Sequence, residues 1–147
     1  MKISVASDHA GFEFKQRLKR ELESQGHEVV DFGTGSDESC DYPDYAEPAV
    51  REVAAGAADR AILACTNGIG MSMLANRVPG AMAALVYNER SAAMTRRHHG
   101  SNVLCLGAGE FPAEDLLRWV RIWLGEEFEG GRHARRIGKV KRLEERG

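Results

Sequence analysis

Close-spaced cysteines are missing from this 147-residue chain: Cys40, Cys65 and Cys105 stand far apart and are odd in number. Such spacing excludes a metal knuckle or a dithiol redox pair, and the odd count argues against the disulfide framework of a small secreted domain. No apolar run approaches the roughly 18 residues a membrane helix needs. Charge of one sign is also lacking. The 20 Lys and Arg against 22 Asp and Glu leave a net charge of −2, which steers the chain to neither nucleic acid nor membrane. The opening residues, Met1-Lys2-Ile3-Ser4-Val5-Ala6-Ser7-Asp8, turn polar too soon for a secretory signal, so a reducing cytoplasm is the expected compartment. Internal repeats and low-complexity tracts are absent as well.

What remains is an ordinary globular composition, 43% hydrophobic and 29% charged, enough for one domain with a substantial core. Short apolar runs alternate with amphipathic ones. Residues 2–7, 28–32, 61–64, 81–86 and 103–106 read as strands. Residues 12–25 (closed by Gly26), 45–55, 71–76, 89–98 and 113–124 read as helices. The Glu126–Gly131 stretch is a hinge, and a charged helix over residues 133–145 ends the chain. One domain is expected over residues 1–147, with a doubly wound core over 1–125 and the hinge and terminal helix over 126–147.

Five strands alternating with helices imply an α/β fold: a Rossmann-like three-layer αβα with a five-stranded parallel sheet. Right-handed crossovers favour the order 2-1-3-4-5, whose switch point lies between strands one and three. The loops meeting there are Ser7-Asp8-His9-Ala10-Gly11 and Cys65–Gly70.

Cys65 ends a strand-like run and precedes Thr66-Asn67-Gly68-Ile69-Gly70, which opens a helix. Backbone N–H groups at such a turn bind anions and favour a thiolate, whereas a free cysteine elsewhere is more often a small buried hydrophobe. A cysteine phosphatase loop would need arginine six residues on, where this chain has Met71. Cys40, in a polar loop, and Cys105, inside a strand, read as structural. Gly107-Ala108-Gly109 reads as a plain turn into Pro112. Asp8 suits either a helix cap or a substrate contact, and His9 is not needed as a cap.

His98 closes the fourth helix beside His99. That helix runs back from the carboxyl edge of the sheet for about ten residues, roughly 15 Å. His98 therefore belongs at the edge opposite its own Cys65, and a reaction using both requires two subunits. Arg132 and Arg136 stand four apart on the terminal helix and form either a solvated basic face or a phosphate clamp.

The motifs Ser7-Asp8-His9-Ala10-Gly11, Asp41-Tyr42-Pro43-Asp44-Tyr45, Cys65-Thr-Asn-Gly-Ile-Gly70, Glu89-Arg-Ser-Ala and Gly130-Gly-Arg-His133 span nearly the whole chain. In them the sequence resembles the type B ribose-5-phosphate isomerases and the related galactose-6-phosphate isomerase subunits. The resemblance implies a Rossmann-like fold, a homodimer or tetramer with inter-subunit active sites, no metal or other cofactor, and aldose–ketose isomerisation of a sugar phosphate. It implies that Cys65 moves a proton between C1 and C2 and that His98 donates a proton in ring opening. It places Asp8, His9, Thr66, Asn67, Gly68, Ile69, Gly70 and His99 around the sugar, with Arg132 and Arg136 on the phosphate.

Three positions depart from the family pattern. Thr66-Asn67 stands where many members carry Gly then Ser or Thr, His99 where Asn is usual, and Gly109 where a phosphate-contacting Arg is frequent. The expected reaction interconverts ribose 5-phosphate and ribulose 5-phosphate. The alternatives are a six-carbon substrate such as allose or galactose 6-phosphate, or a non-catalytic sugar-phosphate binding protein.

Overall fold

The computed structural model describes residues 1–146. Strands β1 (Lys2–Ser7), β2 (Glu28–Asp31), β3 (Arg60–Cys65), β4 (Ala83–Leu85) and β5 (Val103–Gly107) form one sheet in which every pairing is parallel. Helices α1 (Phe12–Ser24), α2 (Tyr42–Ala54), α3 (Ile69–Ala75) and α4 (Glu89–His99) alternate with the strands, and α5 (Ala113–Gly125) and α6 (Arg132–Arg146) follow β5. The period-two alternation of each strand divides the core. Ile3, Val5, Ile62, Ala64, Leu104 and Leu106 pack toward α1 and α5. Ala6, Ala61, Leu63, Cys65, Val103 and Cys105 pack toward α2 and α3. This is the three-layer αβα arrangement the alternation implies.

The strand order is β2-β1-β3-β5-β4, not 2-1-3-4-5. Consecutive strands are neighbours in most sheets, which is what the expected order assumed. Burial overrides that tendency here. All five residues of β5 are buried, which requires helices on both faces and a strand on each side. The three residues of β4 are only half-buried and accept an edge. The Asn76 side chain blunts that edge: its amide nitrogen donates to the Ala83 carbonyl at 3.0 Å and its oxygen accepts from the Ala83 N–H at 2.9 Å. The switch point between β1 and β3 survives, but the neighbour of the Cys65 loop is now the loop after β5.

Element boundaries differ from the expected ones mainly at α2, which starts at Tyr42 rather than residue 45. Pro43 lies in its first turn, where a missing N–H costs nothing. The Gly26 turn after α1 is as expected, with φ of +89°. Among the described residues no helix is long and apolar enough to cross a membrane.

Candidate active site

Cys65 is the last residue of β3, 5% exposed, and its Sγ accepts the Gly68 N–H at 3.2 Å. That bond exists because Gly68 caps α3 in the left-handed region with φ of +77°. A Cβ at Gly68 would lie 2.6 Å from Leu85 Cδ1. One at Gly70 would lie 2.6 Å from the Tyr42 hydroxyl, so the Tyr42 ring closes down on the loop only because residue 70 lacks a side chain. Asn67 Oδ1 accepts the Ile69 N–H at 3.0 Å and fixes the turn from within. The sulfur is thereby held at the mouth of the turn. The contrast with Cys105 is physical: complete burial and the nearby Cys65 push its thiol well above the ordinary range, leaving it an inert packing group.

Asp8 and His9 arrive from the end of β1. The Asp8 N–H donates to the Ala64 carbonyl at 3.3 Å, and Asp8 Oδ1 accepts the Gly11 N–H at 3.1 Å, so its carboxylate holds the turn into α1. His9 Nδ1 accepts the Cys40 backbone N–H at 3.2 Å. A backbone amide can only donate, so the neutral His9 ring carries its hydrogen on Nε2. The polar loop that contains Cys40 thus serves to orient His9.

Gly107–Gly109 forms the expected turn toward Pro112, closed by the Glu110 N–H donating to the Gly107 carbonyl at 3.1 Å, and it also bonds across to β3. Gly107 is in register with Cys65, the Ala108 N–H donates to the Cys65 carbonyl at 2.8 Å, and the Gly109 N–H donates to the Thr66 carbonyl at 2.9 Å. These bonds tie the turn after β5 to the loop that follows Cys65. A Cβ at Gly109 would come within 3.0 Å of Thr66 Cγ2. Two of the three departures from the family pattern therefore touch each other.

A second group forms at the opposite edge of the sheet. His98 lies in the last turn of α4, just before β5 begins, while Cys65 pairs with the last residue of β5. Four strand steps of about 3.3 Å separate those ends, or about 13 Å along the sheet. His98 stacks on His133 with ring centroids 4.2 Å apart and 7° between planes, and it meets His99 edge-on at 6.3 Å. Burial, the adjacent His98 and then Arg132 push the His133 imidazole below its usual range, partly offset by Glu129. Arg132 and Arg136 are exposed on the first turns of α6.

Within one chain, then, the fold gathers Asp8, His9, Thr66, Asn67, Gly68, Ile69 and Gly70 around Cys65. It gathers Arg132 and Arg136 on the helix of His133, which stacks on His98, itself edge-on to His99. It does not join the two groups. Glu129 and His133, not singled out as candidates in the sequence reading, carried one signal: a carboxylate and an imidazole four apart, interrupted by Gly130-Gly131. A cavity of about 380 Å³ between α1 and α5 is lined by Phe14, Arg17, Arg20 and Ala108. It opens on the α1–α5 face of the sheet, whereas Cys65 packs toward α2 and α3, so it is not the space beside the thiol.

The family model described as Ribose/Galactose Isomerase matches residues 3–140. A putative sugar phosphate isomerase of Bacillus subtilis is 42% identical over 148 residues, covering 99% of each chain. The structure of Clostridium thermocellum ribose-5-phosphate isomerase B superposes with a TM-score of 0.98 at 42% identity, covering 99% of each chain. That of Mycoplasma genitalium ribose-5-phosphate isomerase B with bound ribulose-5-phosphate superposes with a TM-score of 0.96 at 39% identity, covering 99% of this chain and 97% of the other. With its motifs, its parallel sheet and its whole length matched, the chain belongs to the Ribose/Galactose Isomerase family, whose members act on sugars.

Proposed function

We propose that this sugar-phosphate isomerase interconverts ribose 5-phosphate and ribulose 5-phosphate, with Cys65 as the base. The observation that carries the reading is the Gly68 N–H held 3.2 Å from the Cys65 sulfur at a strand end. As a thiolate, Cys65 takes the C2 proton of the open-chain aldose and the electron pair moves into a C1–C2 enediolate; the carbon proton then returns to C1 while the O2 hydroxyl proton passes to O1, leaving C2 as the ketone. The enediolate oxygens need fixed donors, each worth about 3–4 kcal/mol, which the Asn67 side-chain amide and the His9 Nε2–H can supply. His98 gives a proton to the ring oxygen as the cyclic sugar opens. Arg132 and Arg136 take the phosphate.

Because His98 and Cys65 sit at opposite edges of one sheet, the proposed site joins two copies of the chain. An apolar surface beside the thiol supports this. Ile69 and Met73 share a face of α3, and Tyr87 follows the adjacent edge strand; these side chains are 49%, 63% and 60% exposed. A second copy covering them completes the pocket and dries the thiolate. The relative from Mycoplasma genitalium, seen with ribulose-5-phosphate, favours the five-carbon substrate.

The test compares kcat/KM for ribose 5-phosphate with that for allose 6-phosphate and galactose 6-phosphate, in the native chain and in Cys65→Ala. Ribose 5-phosphate should be preferred, and Cys65→Ala should lose at least about 10²–10⁴-fold, the usual contribution of a positioned base. Exclusive turnover of a six-carbon phosphate would replace the substrate, and full activity in Cys65→Ala would remove the assigned base.

A further inference from the structure

His98, Glu129 and His133 come from three separate places: the end of α4, the hinge, and the first turn of α6. One nitrogen or oxygen from each lies within 4.8 Å of the others. The Glu129 Oε1 is 3.8 Å from His98 Nε2 and 3.6 Å from His133 Nε2. Donors around a tetrahedral transition metal, with bonds of about 2.0–2.2 Å, stand about 3.4 Å apart, so two edges of such a polyhedron are nearly drawn already. His133 is only 7% exposed, and its Nε2 is buried without a hydrogen-bond partner among the described residues. An orphaned imidazole nitrogen facing a carboxylate is costly unless something completes it.

The scaffold around the three donors is fixed. The Glu129 N–H donates to the Arg97 carbonyl at 2.9 Å, and the Arg97 guanidinium holds Glu126 through two bonds of 2.6 and 2.8 Å. Gly130 and Gly131, with φ of +72° and +55°, then fold the chain back so that His133 faces Glu129. The cluster also lies at the carboxyl end of α4, where unpaired carbonyls favour a cation.

We propose that His98, Glu129 and His133 form a site for a divalent transition metal such as zinc, and that the bound ion silences the enzyme. The rings lie in nearly parallel planes 4.2 Å apart and each nitrogen lone pair lies in its own ring plane, so capture of one ion requires one ring to turn. His98, 34% exposed against 9% for the His133 side chain, is the ring free to do so. A lone pair given to a metal cannot carry a proton, so the ring-opening acid is lost while the ion stays. Arg132 and Arg136 face the same cluster and weaken the attraction for a dication, which makes the site a reversible one rather than a structural zinc site. Metal binding rests on the cluster alone, and the silencing rests on the role proposed above for His98.

Cobalt(II) is the probe, because its visible absorption reports coordination independently of turnover. Titration of the full chain should show one ion per chain, displaced by zinc. The affinity should persist in Cys65→Ala and fall at least about tenfold in both His133→Gln and Glu129→Gln. Glu129 is half-exposed and outside the core, so its variant should remain folded even if His133→Gln does not. Unchanged affinity in Glu129→Gln, or loss of binding in Cys65→Ala, would overturn the site. Zinc should slow ribose 5-phosphate turnover reversibly on addition of a chelator, and turnover unaffected at saturating zinc would overturn the silencing.

Discussion

Thr66 and Gly109 face each other across the neighbouring ends of β3 and β5: the Gly109 N–H donates to the Thr66 carbonyl at 2.9 Å, and a Cβ at Gly109 would reach within 3.0 Å of Thr66 Cγ2. The methyl group of one residue occupies the space a side chain at the other would take. Gly109→Arg alone should therefore push the Cys65 loop and destabilise the chain by about 1–3 kcal/mol, as overpacking generally does. Thr66→Gly combined with it should recover part of that loss, the Thr66 carbonyl at 3.1 Å remaining in place. Urea unfolding of the two single variants and the pair decides it, and strict additivity would refute the coupling.

The separation of His98 from its own Cys65 makes a prediction about mixtures. Cys65→Ala and His98→Ala chains, each inactive alone, should regain activity when mixed under conditions of subunit exchange. If random hybrids form, about one quarter of the sites combine a native cysteine with a native histidine, since each comes from the right chain half the time. Exchange is verified by mass spectrometry of differently tagged chains. No recovery despite exchange would place both groups in one subunit.

Arg132 and Arg136 are proposed to bind the phosphate rather than the reacting carbons. Arg136→Ala should raise KM about 10–100-fold, the worth of charge-assisted hydrogen bonds of about 1.5–3 kcal/mol, with a smaller change in kcat. Steady-state kinetics with ribose 5-phosphate measures the split. A fall in kcat at unchanged KM would assign Arg136 to the chemistry instead.

Stability toward acid should depend on Asp31. Its carboxylate accepts Lys15 Nζ at 2.7 Å, Lys19 Nζ at 2.9 Å and the Gly33 N–H at 2.8 Å. Burial alone would raise its pKa, but the bonds from Lys15, Gly33 and Lys19 outweigh it and hold the group below its ordinary value. A carboxyl lowered by folding stabilises the protein above its unfolded pKa of about 3.9, and that contribution disappears as pH falls through the folded value. Burial moves Lys15 the other way, lowering its pKa despite Asp31. The short bonds around the carboxylate make Asp31 the better guide to the pair. Asp31→Asn should cost about 3 kcal/mol at neutral pH, the lower end for a broken buried pair because Asp31 is partly exposed. Its unfolding free energy should also vary less with pH below about 4 than that of the native chain. Equal acid sensitivity in the two proteins would exclude Asp31 as the source.

The reading from residues alone succeeded where the signal is local. Short uninterrupted apolar runs in β3 and β5 mark strands buried on both faces, and the Cys65–Gly70 run marks a strand ending in an amide-rich turn. Polarity misjudged the start of α2, because Tyr42 and Pro43 sit among acidic residues yet Pro43 is suited to a first helical turn. The turn at Gly107–Gly109 was legible, but its bond to Thr66 was not, because that partner lies more than forty residues away in the chain.

Sequence by itself determined the layers of this fold, the family, and the candidate groups at Cys65, Asp8, His9 and His98, because periodicity and short motifs act over a few residues. Tertiary structure alone decided that β5 lies between β3 and β4, since only the competition for burial ranks two apolar strands. It alone brought Glu129 and His133 to His98, because three residues from a helix end, a hinge and another helix meet only when those elements pack.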